Sequence, residues 1–391
     1  MTHEEKGTAM EAVLQPVFER GFDGIGEVLS AVLNFAMLIE REKALGAQPY
    51  ERTAERGGHA NGFKPRTLKT RVGELSLRVP QVRGTEEPFS PSMLERGQRH
   101  ERALALAVAE MYVQGVSTRK VRQVMEELCG LDVSSEQVSR ASRLLDAELE
   151  KWRNRPLGCV KALVLDALYE KVRMDGAVVS CAVLVATGVL ADGRRTVLGV
   201  SAAASEAEVH WRGFLQGLKD RGMSGVAFVV SDNHEGLKAA LAAALPGVAW
   251  QRCQCHLQRN AQAYVTKQDL KGQAAADIRA VFNAPSLDEA RRLLDAAVEK
   301  YSKSQSKLAA WMEENLPEGF AVFRLPEPMR RRLRTSNMAE NLNRQIRRRT
   351  RVAGLFPSES SLLRLVSAVL SEISEEWETG KIYLSTEGMP A

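Results

Sequence analysis

Cysteine is scarce in this chain: five residues, Cys129, Cys159, Cys181, Cys253 and Cys255, are scattered over 391 positions. An odd, dispersed set does not make the disulfide framework of a secreted scaffold, so reduced thiols are expected. Long apolar runs are also missing. The longest near the start, Val28 to Ile39, falls well short of the roughly 20 residues that span a bilayer, and no cationic leader with a cleavage site precedes it. A cytoplasmic, nucleoid-associated chain with no membrane partner is therefore expected. Internal repeats and low-complexity tracts are absent, which excludes a solenoid and wholesale disorder. Neither sign of charge dominates: 54 Lys and Arg against 49 Asp and Glu leave a formal +5. Such a balance leans only weakly to an anionic partner, and the placement of the positive charge matters more than its sum.

What is present is ordinary core material, 44% hydrophobic residues, in a chain too long for one core. The first fifty residues carry Val28, Leu29, Val32, Leu33, Ala36 and Ile39 at helical spacing, which predicts an amphipathic docking or dimerisation helix. From Glu51 to Arg83 the texture turns to Gly, Pro and Thr, and Leu75, Leu77 and Val79 before Pro80 predict a short strand. Lys64, Arg66 and Lys69 belong to a basic crowd here, either a solvated face or a set of phosphate contacts. Glu101 to Trp152 reads as three helices, with Ser117 and Ser134 as natural N-caps of the second and third. A helix-turn-helix would turn Ser135, Gln137, Ser139 and Arg140 toward a DNA groove, with Arg119 and Lys120 opening the helix before it; a plain helical linker is the alternative. After the seam Asn154 to Gly158 the period becomes that of strands. Lys161–Tyr169, Ala177–Thr187 and Thr196–Ala203 are joined by the turns Asp175-Gly176 and Asp192-Gly193. Helix (205–221), strand (225–230), helix (234–245) and strand (248–253) follow. Three antiparallel strands and then helix, strand, helix, strand is the element order of the RNase H-like fold.

The fold class expected is thus an α/β catalytic domain, RNase H-like, with a mixed five-stranded sheet flanked by helices. An all-helical insertion interrupts it, and a mainly helical DNA-binding region precedes it. The expected organisation is a helical and basic region over 1–95, a helix-turn-helix-like region over 96–155, the first part of the catalytic domain over 156–256, the insertion over 257–329 and closing helices over 330–391.

Asp166 lies inside the apolar strand Ala162 to Leu168, where an unpaired carboxylate is costly to bury. Asp232 ends the apolar run Val226 to Ser231. In the inferred fold these two strands are parallel neighbours, so the carboxylates converge as a site for Mg²⁺ or Mn²⁺. A buried arginine partner for Asp166 and a helix N-cap role for Asp232 are the structural alternatives. Glu340 is the sole acid from Arg330 to Arg351, among nine arginines that include Arg344, Arg347 and Arg348. Asn337 and Glu340 have capping-box spacing and Glu340 with Arg344 the spacing of an ion pair, while a third carboxylate near the sheet is what a two-ion site lacks. Two such ions activate a water or 3′-hydroxyl and stabilise the leaving oxygen, so cleavage and joining of DNA strands become one in-line reaction without a covalent Ser or Tyr intermediate. Cys253, Cys255 and His256 look like half a zinc site, yet no second Cys/His pair follows. They are expected at the end of the fifth strand, with His256 and also His234 orienting substrate.

The chain resembles the Mutator-type transposases of bacterial insertion sequences. The likeness covers nearly its whole length and rests on Asn61 to Thr70, Tyr112 to Lys120, Ser231 to Leu237 and Thr335 to Arg344. It implies a DDE transposase in which Asp166, Asp232 and Glu340 are the catalytic, metal-binding triad, and in which Cys253 and His256 match a Cys-x-x-His signature after the second aspartate. It further implies N-terminal elements that recognise the terminal inverted repeats, capture of target DNA, a homodimer on DNA and a copy-out, paste-in route. The competing expectations are a nuclease of the same fold that cuts without joining and a DNA-binding regulator without activity.

Overall fold

The chain divides after Leu144 into two units, Met1–Leu144 and Leu145–Ala391. The computed structural model describes residues 3–54, 56–85, 88–94 and 100–389, with side chains from Met10 onward.

In the first unit, α1 (His3–Arg20) and α2 (Ile25–Leu45) flank a short 3-10 turn. Helix α2 is 21 residues long and takes in the charged run Glu40 to Lys43 that the sequence placed beyond it. Within Met10–Leu45 one 18-residue window reaches a mean hydropathy of 1.5, enough by length and composition alone to cross a membrane, which corrects the reading of this stretch as too short. The stretch is not one continuous span, however: at Gly24 the chain bends so closely onto the Pro16 carbonyl that a Cβ would lie 2.0 Å from its oxygen. Moreover, Leu29, Leu33 and Met37 on α2 seat on Leu75 and Leu77 of a hairpin, and Asn34 accepts from the Arg78 N–H. That hairpin, β1 (His59–Thr70) and β2 (Gly73–Arg83), is longer than the single short strand expected, so this part is less helical than its composition implied. Alternation explains it: Leu75 and Leu77 point inward while Glu74, Ser76 and Arg78 do not.

Helices α3 (Arg102–Val113), α4 (Thr118–Cys129) and α5 (Ser135–Ser142) pack around Leu104, Val108, Val121, Met125, Leu131 and Val138. Both expected caps form. Ser117 accepts from the Lys120 N–H, and Ser134 exchanges a capping box with Gln137. Gly130, at φ 63°, closes α4 in the left-handed conformation.

The second unit begins with α6 (Asp146–Arg153). A five-stranded mixed sheet is built from β3 (Val160–Met174), β4 (Ala177–Leu190), β5 (Arg195–Ala203), β6 (Phe228–Ser231) and β7 (Ala249–Arg252), in the order β5-β4-β3-β6-β7. The first three strands are antiparallel, and β3–β6 and β6–β7 are parallel. Asp175 and Gly176, both at positive φ, make the β3–β4 turn as a two-residue hairpin requires. Helices α7 (Glu208–Asp220) and α8 (Glu235–Ala244) cover one face, packing Trp211, Leu215 and Leu237 on Leu163 and Leu165.

Between β7 and the closing helices lie α9 (Gln254–Ala261), α10 (Lys271–Phe282), α11 (Leu287–Ser302) and α12 (Ser306–Asn315), with a core of their own around Leu257, Ile278, Leu294, Leu308 and Met312. Trp311 belongs to this core and stacks on Tyr264. Then come α13 (Glu327–Leu333), α14 (Asn337–Ala353) and α15 (Glu359–Thr379). Helix α15 buries Leu362, Leu365, Val366, Val369 and Leu370, and Arg364 clamps it to α6 through both oxygens of Asp146.

Candidate active site

Strand register sets the first two residues. In the parallel pair β3–β6, Ala162, Leu163 and Val164 stand beside Phe228, Val229 and Val230. Two residues further along each strand come Asp166 and Asp232, on the same side as Val164 and Val230 because side chains alternate. Leu163 and Leu165 take the other face, under α7 and α8. The aspartates therefore emerge together where β6 ends.

Glu340 comes from α14. That helix buries Met338, Ala339, Leu342, Ile346 and Thr350, a stripe at helical spacing, and Glu340 and Asn343 sit one turn apart beside it. Two ties hold the helix: the Ser336 N–H donates to Cys253 Sγ at 3.3 Å, and Thr350 donates to Glu170 of β3 at 2.8 Å. Glu170, an acid inside the sheet, is thereby accounted for structurally. Glu340 lines the same cleft as Asp166, about 750 Å³, together with His256, Arg259, Asn343, Arg344, Arg347, Arg348 and Arg351.

His256 sits among the acids. Its Nδ1 is 3.8 Å from Asp232 Oδ2 and its Nε2 is 3.5 Å from Glu340 Oε1. It rides on the first turn of α9, which Cys253 caps. The buried Cys253 is fixed by its own N–H to the Ser231 carbonyl (2.8 Å), at the end of the strand that leads to Asp232. A hydrogen bond with Cys253, the charge of that thiolate and the nearby Asp232 and Asp166 raise the His256 imidazole to about 9. Hydrogen bonds from Cys255, His256 and Ser336 hold the Cys253 thiol well below its ordinary range. Burial pushes the Asp166 carboxyl up to about 7, partly opposed by the Ala167 N–H on Oδ1 and by His256.

The structural alternatives weighed for the acids do not hold among the described residues. Asp166 has no arginine partner; its Oδ2 accepts from Asn343 Nδ2 at 2.8 Å instead. Asp232 does not cap α8, whose N-cap is His234; its carboxylate accepts from the Asn233 N–H at 2.7 Å. Ser336 rather than Asn337 precedes α14, with no side-chain cap bond, and Glu340 forms no ion pair with Arg344.

Other expected contributors divide. Cys253 and His256 join the acids, whereas His234 is exposed at the head of α8 with no bond to them. The arginine run also splits. Arg330 donates to the Leu325 and Pro285 carbonyls and Arg334 to Asn283, while Arg349 pairs with Glu372. Arg344, Arg347, Arg348 and Arg351 remain along the cleft. In the first unit Lys69 is held by the Asp132 carbonyl and Glu74, Lys120 by Gln123, and Arg140 by Glu136. Lys64 and Arg119 are exposed, and Arg66 lies on β1 beside Leu77. The sequence reading missed Asn343. Its signal was there: it stands three residues after Glu340, hence on the same helical face.

Hard oxygen donors from β3 and α14 in an arginine-lined cleft, with Asp232 behind the cleft's His256, are suited to binding cations and a polyanion at once. Residues 1–380 match the family described as Transposase, Mutator family. The chain is 53% identical over 378 residues to the transposase for insertion sequence element IS406 of Burkholderia multivorans, covering 96% of this chain and 97% of that one. It is 43% identical to the transposase for ISRM5 of Rhizobium meliloti, covering 100% and 97%. It is 36% identical to the transposase for IS256 in transposon Tn4001 of Staphylococcus aureus, over 90% of each chain.

Proposed function

Because the chain belongs to the Mutator family of transposases and is itself an insertion-sequence transposase, we propose that Asp166, Asp232 and Glu340 are its catalytic triad, cutting DNA at the terminal inverted repeats and joining the ends to target DNA. The observation that carries this is that Asp232 and Glu340 flank His256 while Asp166, on the strand parallel to that of Asp232, lines the same cleft as His256 and Glu340. A pair of Mg²⁺ or Mn²⁺ ions fits the residues present: the donors are oxygens, and Glu340 Oε1 is buried without a hydrogen-bond partner. Such ions, when bound, activate the attacking oxygen and stabilise the leaving one in an in-line displacement. The protein's own groups do the rest. Asn343 orients the Asp166 carboxylate through their 2.8 Å bond, His256 offsets the charge of Asp232 and Glu340, and Arg344, Arg347, Arg348 and Arg351 hold the phosphate backbone along the cleft.

The mixed sheet, three antiparallel strands followed by two parallel ones reached through helices, supports an RNase H-like domain. The helical block α9–α12, with its separate core, supports an insertion within it. In the first unit the capped pair α4–α5 supports a helix-turn-helix reader of the element ends, with Lys64, Arg66, Arg119 and Lys120 as phosphate contacts. The acting species is a homodimer, joined through the exposed apolar faces of α1 and α2.

The test is a nicking assay with Mg²⁺ or Mn²⁺ on DNA carrying the element's own ends. Asp166→Asn, Asp232→Asn and Glu340→Gln are each expected to abolish nicking while DNA binding persists. Full cleavage by all three variants would remove the assignment.

A further inference from the structure

Cys253, His256 and Glu340 form a second grouping inside the cleft. A sulfur, a nitrogen and an oxygen ligand atom, one from each, lie within 4.8 Å of one another. One tetrahedral Zn²⁺, bound at about 2.0–2.3 Å, needs donors roughly 3.3–3.8 Å apart. The His256 Nε2 to Glu340 Oε1 separation of 3.5 Å already meets that. Glu340 Oε1 is buried and makes no hydrogen bond, its facing group being the His256 imidazole, so an ion entering there takes the place of the imidazole proton rather than of a hydrogen bond. The sulfur is fully buried at the back, and its Ser336 N–H donor at 3.3 Å is the kind of outer hydrogen bond that orients a thiolate ligand. His256 and Glu340, 16% and 29% exposed, form the wall through which an ion would enter.

We propose that Cys253, His256 and Glu340 bind a single Zn²⁺ ion, with the fourth position open to the cleft, and that this ion competes with the hard cations for Glu340. Sulfur and nitrogen donors select zinc over Mg²⁺, which prefers an all-oxygen shell. Glu340 is common to both groupings, and the carboxylate oxygen that faces His256 cannot serve both at full strength. Zinc then switches strand cleavage off. This inhibitory half rests on the reading of Glu340 as a catalytic ligand; the binding half does not.

Co²⁺, which reports its ligands optically, is the probe for binding to the full chain. One equivalent is expected to give a thiolate charge-transfer band and visible bands of tetrahedral intensity, both bleached by one equivalent of Zn²⁺. Cys253→Ser removes the charge-transfer band, Glu340→Gln weakens Co²⁺ binding at least tenfold, and Cys255→Ser leaves the spectrum unchanged. Glu340→Gln keeps the test decisive if Cys253→Ser does not fold. Absence of a thiolate band in the folded wild type, its persistence in Cys253→Ser or its loss in Cys255→Ser overturns the site. For inhibition, nicking in Mg²⁺ is expected to fall as Zn²⁺ is added and to recover with excess Mg²⁺. In Cys253→Ser, scaled to its own zinc-free rate, the half-inhibiting Zn²⁺ concentration rises at least tenfold; an unchanged value overturns the competition. A wild type that never nicks counts against the catalytic reading alone, since the cobalt spectra still decide the zinc site.

Discussion

Asp166 carries a conflict that single-residue changes expose. Burial raises its carboxyl to about 7 in the folded chain, whereas in the unfolded chain it sits near 3.9. Between those values the native state holds the proton more tightly, so this residue makes the metal-free protein less stable as pH rises from about 4 to 7. Its contribution is most favourable below pH 4. Asp166→Asn removes the penalty, and in chelator at pH 8 thermal melts should find the variant more stable, by on the order of 1–4 kcal/mol. At pH 4 the difference should shrink toward zero. Mg²⁺ should raise the melting temperature of the wild type and not of the variant. Asn343 is the natural companion test. It donates to the Asp166 carboxylate, and a residue that orients a metal ligand typically contributes about 10–100-fold to metal affinity or rate. Asn343→Ala is expected to lower nicking by about that factor and to raise the Mg²⁺ concentration for half-maximal rate, with most of the loss recovered at high Mg²⁺. A loss of rate without any change in Mg²⁺ dependence would show that Asn343 does not act through Asp166.

At the scale of the element, α14 carries two sets of polar groups beside its apolar stripe. Its apolar stripe seats it against the sheet, Glu340 and Asn343 turn to the acids, and Arg344, Arg347, Arg348 and Arg351 line the cleft. Replacing Arg347 and Arg348 by Ala should leave folding intact and weaken DNA binding on any sequence. The slope of log K against log salt should fall by roughly 0.9 for each phosphate no longer neutralised; an unchanged slope would move the DNA path off this helix. Much of the element pattern was legible. Alternating apolar residues with Asp-Gly turns gave the strands, and Ser117 and Ser134 marked the heads of α4 and α5, because these signals are local. Which arginines face the cleft was not legible. Arg330, Arg334 and Arg349 are engaged by carbonyls, Asn283 and Glu372, all distant in sequence. Likewise, the half zinc pattern at Cys253 and His256 gained its third donor from Glu340, which a search for a second Cys/His pair passes over. The length of the hairpin also escaped notice, since Gly62, at positive φ, is accommodated in a bulge and Pro65 is a poor strand former that its pairing with Arg78 of β2 overrides.

At the scale of the whole molecule, the meeting of the acids was legible only through fold order: a parallel neighbour relation between β3 and β6 had to be inferred before Asp166 and Asp232 could be placed together. What no local pattern reveals is how the N-terminal helices use their second apolar face. One face of α2 is seated on the hairpin. Away from it, Val32, Phe35 and Ile39 recur at helical spacing with Phe35 65% exposed, and on α1 Met10, Leu14 and Phe18 do the same, with Phe18 74% exposed. Phe22, between the helices, is 89% exposed. Contiguous large apolar side chains on a surface mark a contact site, and a twofold contact between identical patches is the commonest way for a chain to bury one. Burying three phenylalanines per protomer would contribute several kcal/mol at about 1.5–3 kcal/mol per side chain. The double change Phe18→Asp with Phe35→Asp should therefore convert a dimer to a monomer in light scattering, without loss of the helical signal, because neither side chain belongs to the core against the hairpin. Joining two element ends to one target needs two active sites in one assembly, so the monomeric variant should still nick a single end while strand transfer of paired ends falls at least tenfold. A wild type that is monomeric with and without DNA would assign this apolar face to some other contact.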